Sequence, residues 1–433
     1  MGLIDRLDRL QPGQFSYEKR TGSTPLLRVQ RLILDRYPDL AVEARKSPSK
    51  REQLKTVALQ YVIMEGVTVP GLTKEELAES ILQEMVGYGP IDPLLKDPTV
   101  TEIMVNGPSE VYVERQGRIE KTNLRFRDDA HVEEVMSKMV AAIGRRIDKA
   151  SPLVDGRLPD GSRINAVIPP LAVNGPVLTV RKFSPSAMNV EQLVANGTCS
   201  REMAEFLSWC VKSKLNILIS GGTGSGKTTT LNALSQYIDS AERVITLEDC
   251  AELKLSCAHV VALETRPANI EGKGEITLRH LLKNALRMRP DRIIIGECRG
   301  SEAFELLQAL NTGHEGSLST VHANSAADAL SRLENMVLMA GEMLPDSAVR
   351  SQIAAAIHVI VQQARQQDGR RVMQQICLVT DYCHEAMRFN LQEVFWQDGQ
   401  EFKRAARCDL PRRVYRKMAA VLNPMPEWLV EAP

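Results

Sequence analysis

The chain has no CxxC pair, no long apolar run, few aromatic residues and no net charge, and each lack removes a class of function. Its eight cysteines, at 199, 210, 250, 257, 298, 377, 383 and 408, are scattered. That spacing supports neither a zinc site nor a disulfide framework, so no zinc is expected and reduced thiols are the reading. No stretch approaches the roughly 20 apolar residues a membrane span requires. The start, Met1-Gly2-Leu3-Ile4-Asp5-Arg6, leads into an alternating charged run without an apolar core, which does not read as a secretory signal. Arg6 also breaks the myristoylation pattern. Lys plus Arg and Asp plus Glu number 54 each, leaving no overall field for nucleic acid or an anionic membrane. Aromatics at 4% argue against a base-stacking platform. The chain therefore reads as cytoplasmic, with no nucleic-acid partner expected.

What is present is enough for two to three domains: 433 residues, of which 43% are apolar. Residues 1–22 are polar and read as a mobile segment. Residues 23–70 read as a helical extension, its pattern from Leu26 to Met64 broken at Pro38 and Ser47-Pro48. Thr73 and Glu76 form a capping box that opens a helix with Leu77, Ile81, Leu82 and Met85 on one face. Short strands follow, at Glu102–Val105, Val111–Glu114 and Leu178–Lys182, with Asn106-Gly107 and Gln116-Gly117 as turns. These define an α+β N-terminal domain over 73–185, with Ser184-Pro185-Ser186 as its hinge. From 190 to 433 apolar strands alternate with amphipathic helices. Leu215–Ile219, Val244–Leu247, Val260–Leu263, Ile293–Ile295 and Leu318–Val321 are the strands, and Leu278–Met288 and Ala326–Met339 are two of the helices. Such alternation predicts an α/β domain with a mainly parallel sheet covered on both faces. The tail from Val372 to Phe402 reads as further strands that could be antiparallel.

Within that domain one motif carries chemistry directly. An apolar strand runs without a gap into Gly221-Gly222-Thr223-Gly224-Ser225-Gly226-Lys227-Thr228, and Thr229 to Tyr237 continue as a helix. This is GxxxxGK[ST] in the strand–loop–helix context of an ATP-binding P-loop. Glycines let successive backbone N–H groups aim at phosphates, and the helix start adds its partial positive charge. Lys227 supplies a cation for the β and γ phosphates, and Thr228 a hydroxyl for Mg²⁺.

Acids end the neighbouring strands. Arg292-Ile-Ile-Ile-Gly296-Glu297 has the Walker B pattern, so Glu297 either serves the Mg²⁺ shell or pairs with Arg299. The strand from Arg243 to Leu247 ends in Glu248-Asp249, with Glu252 behind. Two acids there suit a general base for attacking water and a partner that orients it; Asp249 suits a helix N-cap equally well. His322, at the end of another strand, is either a core histidine or a neutral imidazole reporting on the γ-phosphate. Arg287 and Arg289 read as helix C-terminal charges. Arg163 and Arg181 are either surface charges or phosphate contacts, a task suited to a planar guanidinium.

Taken together, the loop, the acidic box Ile245–Glu252, Gly296-Glu297 and the segment ending at His322 resemble the secretion ATPases of type II and type IV systems and type IV pili. Four runs resemble the tight-adherence (Flp) pilus assembly ATPases more closely: Leu153–Pro170, Glu264–Gly274, Asn284–Arg292 and Gly296–Gly300. The resemblance covers about 75 to 345. It implies a RecA-like motor domain behind an N-terminal domain, assembled as a homohexamer. That ring would sit at the bacterial inner membrane through platform proteins, turning ATP hydrolysis into pilin movement. It further implies Lys227 and Thr228 at phosphate and Mg²⁺, Glu248 activating water, Glu297 in the Mg²⁺ shell, His322 as sensor, and N-terminal-domain arginines reaching the nucleotide. The four-cysteine zinc module of type II extension ATPases is lacking. A type IV traffic ATPase for DNA or effector transfer and a nucleotide-gated ring with negligible turnover are the alternatives.

Overall fold

Proline punctuates the first helices of the chain. In a computed structural model, which describes residues 25–45, 47–115, 117–183, 188–266, 268, 273–341 and 344–432, helices Pro25–Arg36, Pro38–Glu43 and Pro48–Met64 each begin on a proline. Its fixed φ and missing N–H cost nothing at that position. The segment 1–22 and the hinge at Ser184-Pro185-Ser186 lie outside the described residues. Two units divide the chain after Ser184.

In the first unit Thr73 and Glu76 make the reciprocal capping box, and helix Lys74–Val86 follows. Its apolar face, Leu77, Ile81, Leu82 and Met85, packs with Val29, Ile33, Leu54 and Val62 of the preceding helices. The sequence grouped this helix with the α+β domain; its packing joins it to the helical extension. Six antiparallel strands come next: β1 (Val100–Asn106), β2 (Val111–Arg115), β3 (Arg118–Lys121), β4 (Leu153–Arg157), β5 (Arg163–Val167) and β6 (Val177–Arg181), in the order β3-β2-β1-β6-β5-β4. Helix Asp129–Ala141 covers one face through Val132, Val135, Met136 and Met139.

The second unit is built on nine strands: β7 (Ile217–Gly221), β8 (Arg243–Glu248), β9 (His259–Glu264), β10 (Arg292–Cys298), β11 (Leu318–Val321), β12 (Val359–Arg365), β13 (Arg371–Cys383), β14 (Arg388–Asp398) and β15 (Glu401–Arg404). Their order is β15-β14-β13-β12-β7-β11-β10-β8-β9. The six from β12 to β9 are parallel, and β13 to β15 add an antiparallel flank. Alternating side chains serve two cores. Ile217 and Ile219 enter one cluster and Leu218 the other, as a sheet covered on both faces demands. Helix Leu278–Ala285 ends earlier than its sequence pattern suggested, ahead of Arg287 and Arg289. Arg289 adopts φ +56°, so the chain there has left the helix. Among the described residues no helix is long and apolar enough to cross a membrane.

Candidate nucleotide site

The C-terminal ends of four adjoining strands, β7, β11, β10 and β8, bring the chemistry together. At β7 the backbone turns through Gly221, Gly224 and Gly226, at φ +156°, +70° and +95°. A Cβ on Gly221 would run into the Gln363 carbonyl and the Ser225 hydroxyl, so no other residue fits. Ser225 Oγ donates to Gly222 O at 2.9 Å, which ties the turn. Helix Lys227–Leu234 then starts on Gly226 with no side-chain cap, unlike the Thr277 capping box at Leu278–Ala285. Its first N–H groups are left for a ligand, and the dipole favours an anion there. Gly222 and Thr223 are exposed, and Thr228 and Thr229 half-buried in the first helical turn.

Lys227 is buried. Its Nζ donates to Gly221 O at 3.0 Å and Gly222 O at 2.9 Å, and lies 3.4 Å from His322 Nδ1. The other ring nitrogen of His322 is 2.8 Å from Glu297 Oε1, an ion-pair distance without hydrogen-bond geometry. Burial lowers the His322 pKa, and Lys227, Arg299 and Arg332 act the same way against the opposing Glu297. The charged imidazolium is thus disfavoured. Of the two open sequence readings of Glu297, the pairing with Arg299 is present: Arg299 Nη2 donates to its Oε2 at 2.5 Å, while its other oxygen lies beside His322.

Glu297 owes its aim to an irregularity. Ile295 pairs with Ser319 and Cys298 with Val321, so β10 carries one extra residue at Gly296-Glu297. Such a bulge re-aims a side chain. Thr320 Oγ1 secures it by donating to Gly296 O at 2.7 Å. Glu302, which sequence reasoning passed over, accepts from the N–H groups of Arg299 and Gly300 through Oε1 at 2.6 and 2.9 Å and shapes the turn behind.

Glu248 ends β8 and is 3% exposed. Its Oε1 accepts from the N–H groups of Glu252 and Leu253 at 2.8 and 3.0 Å, while Oε2 is buried without a hydrogen-bond partner. Burial pushes the carboxyl up to about 7, helped by Glu252 and Glu264 and opposed by the two N–H groups. Gly296 makes the room: a Cβ there would lie 2.9 Å from Glu248 Cγ. No helix follows Asp249, so the N-cap reading of that residue is corrected; it sits 3.9 Å from Arg299 Nη1 instead. The residues present suit a nucleotide with a divalent cation: a cradle only glycine can form, an uncapped helix start, and an acid oxygen with no partner.

Arg163 and Arg181, in the first unit, are directly opposite each other on β5 and β6, and Arg157 on β4 extends the row. The three arginines thus share one face of that sheet. The sequence had not singled out Arg157. Its signal, a basic residue directly across the hairpin turn from Arg163, needs the register to be seen.

A family model described as type II/IV secretion system protein matches residues 84–412. A protein of Mycobacterium tuberculosis (strain ATCC 25618 / H37Rv), whose name assigns it provisionally to conjugal transfer, is 39% identical over 302 residues, covering 68% of this chain and 85% of that protein. The type IV secretion system protein PtlH of Bordetella pertussis is 34% identical over 312 residues, covering 65% and 91%. The solved structure of the Yersinia pseudotuberculosis ATPase DotB aligns with a TM-score of 0.50 at 17% identity, over 68% of this chain and 78% of that one, a likeness of fold.

Proposed function

The chain belongs to the type II/IV secretion system protein family, and from that premise we propose that it is an ATP-hydrolysing motor of a secretion or pilus machine. The observation that carries this is the convergence of the glycine cradle, a buried lysine, the buried carboxyl of Glu248 and the Glu297 carboxylate at one edge of one sheet. In this reading Gly221–Thr229 hold the phosphates by backbone N–H groups, and the Lys227 ammonium balances the β/γ charge. Glu248 takes the proton of the attacking water, for which a carboxyl tuned near 7 is well placed. Mg²⁺, bound by the Thr228 hydroxyl with Glu297 in its water shell, would neutralise phosphate charge. His322, bridging Lys227 and Glu297, senses the γ-phosphate. Arg163 and Arg181 are proposed as anion contacts of the first unit.

A homohexamer docked on inner-membrane platform proteins is the proposed assembly. Two destinations have distinct support. The four sequence runs named above favour a Flp-type pilus, whereas relatives named for conjugal transfer and type IV secretion favour a traffic ATPase. Neighbouring genes for a pilin and two short polytopic membrane proteins would decide for the first.

Paired substitutions test the chemistry. Lys227→Ala is expected to lose nucleotide affinity and turnover together, while Glu248→Gln keeps ATP bound and slows hydrolysis by about 10²–10⁴-fold. Near-normal turnover by Glu248→Gln would remove the base from Glu248. Absence of turnover in the wild-type assembly would leave the nucleotide-gated ring.

A further inference from the structure

Beyond the strands that carry the acids, the hairpin joining β12 to β13 brings two more charges to the phosphate loop. Arg365 and Arg371 are directly opposite each other in the last register pair of that hairpin. Gln366 N–H donates to Arg370 O at 2.7 Å and Gly369 N–H to Gln366 O at 3.0 Å, so the turn between them is closed. Arg371 Nε donates to Gly224 O, in the middle of the loop, at 3.0 Å. A Cβ on Gly226 would lie 3.3 Å from Arg371 Cδ, and one on Gly224 3.5 Å from Arg365 Nη1. Both guanidinium side chains therefore lie against the loop's glycines.

Among the described residues Arg371 has no carboxylate partner, and its bond to Gly224 O is the one hydrogen bond its side chain makes. Nε is spent on the loop, and the two Nη groups are left for another acceptor. A guanidinium is charged at every working pH and matches the geometry of phosphate oxygens.

We propose that Arg371, with Arg365 opposite, binds the phosphates of the nucleotide held by Gly221–Thr228, a contact additional to Lys227. This rests on the nucleotide-binding reading above. The two cations divide the task by position. Lys227 is buried and bonded to the carbonyls of Gly221 and Gly222, whereas Arg371 stands on the solvent side at Gly224. Because Arg371 also braces the loop, it couples the set of the hairpin to whether phosphate is present.

The test compares Arg371→Lys, Arg371→Gln and Arg371→Ala in the full chain, with a fluorescent ATP analogue as probe. Affinity is read across a series of salt concentrations. Loss of a charge-assisted contact predicts roughly ten- to hundredfold weaker binding for Arg371→Gln and Arg371→Ala, with Arg371→Lys between them and wild type. It also predicts a shallower dependence of affinity on salt in Arg371→Gln than in wild type, which a mere brace would not produce. Wild-type affinity in Arg371→Gln, or equal losses in all three variants with an unchanged salt slope, would overturn the proposal. A wild-type chain that bound no probe would instead overturn the reading of the site itself.

Discussion

The two edges of the nine-stranded sheet are made of the same strands and treat polar groups in opposite ways. At the edge where the parallel strands begin, Arg292 is 1% exposed and fully engaged. Its Nε and Nη2 reach the Glu242 carboxylate at 2.5 and 3.1 Å, and its Nη1 and Nη2 reach Gly316 O and Val211 O at 3.0 and 2.9 Å. Asn216 donates to Ala356 O at 2.7 Å and accepts from Gly316 and Ser317 N–H at 2.8 and 3.2 Å. His358 Nδ1 accepts from Asn216 N–H at 3.0 Å. At the edge where the same strands end, Ser220 Oγ, Thr246 Oγ1, Glu248 Oε2, Glu297 Oε1, Gln362 Oε1 and Gln363 Oε1 are buried without a hydrogen-bond partner. Orphans near the first edge, Ser213 Oγ and His314 Nδ1, lie on connections and not on strands. One edge is a closed network that fixes the fold. The other keeps its donors and acceptors in reserve, which is where binding sites store strain.

The largest expected effect lies at the closed edge. Arg292→Met should cost about 3–5 kcal/mol in denaturant unfolding, because it leaves two carbonyls without their donor and the Glu242 carboxylate with only the exposed Lys214 at 3.5 Å. Nucleotide affinity of the folded fraction should be unchanged, as the substitution is at the far end of the strands. A cost below 1 kcal/mol would remove the contrast. Gly296→Ala comes next. A Cβ 2.9 Å from Glu248 Cγ should cost about 1–3 kcal/mol by overpacking, and steady-state assays should show turnover falling further than nucleotide affinity.

The smallest effect has the opposite sign. The Glu248 carboxyl is raised from 4.5 to about 7, so its burial costs nothing below the ordinary carboxylate range. Stability is lost as pH rises from there to about 7, and the loss is constant above. Glu248→Gln should therefore be more stable than wild type by roughly 2 kcal/mol at pH 8, a gain that fades to nothing by about pH 4. Unfolding midpoints at the two pH values check it. A stabilising substitution that slows hydrolysis would mark this edge as one where function opposes stability.

Legibility followed the range of the physics. The phosphate loop stood out because its backbone needs glycine at fixed offsets and its strand and helix are contiguous. Glu297 and Glu248 stood out as acids at the ends of apolar strands. What stayed hidden depends on neighbours distant in sequence. β12, Val359–Arg365, was passed over although it pairs with the phosphate-loop strand. The reason for glycine at 296 is the bulk of Glu248, and Arg371 meets Gly224 across 147 positions. Asp249 misled because a local cap pattern says nothing of whether a helix follows. The antiparallel tail was readable as strands but not as the flank of this sheet, since pairing partners leave no local mark.

One position in the strand order has a mechanical consequence. β7 is the fifth of nine, with four strands on each side, so the strand that leads into the phosphate loop has hydrogen-bonded neighbours on both flanks. A pull applied there spreads sideways through ladders of hydrogen bonds and meets no free margin. β9 at one rim and β15 at the other are each paired on one side only. Were the chain to work as the proposed motor, deformation would fall on those rims sooner than on the phosphate-loop strand, which would act as the anvil.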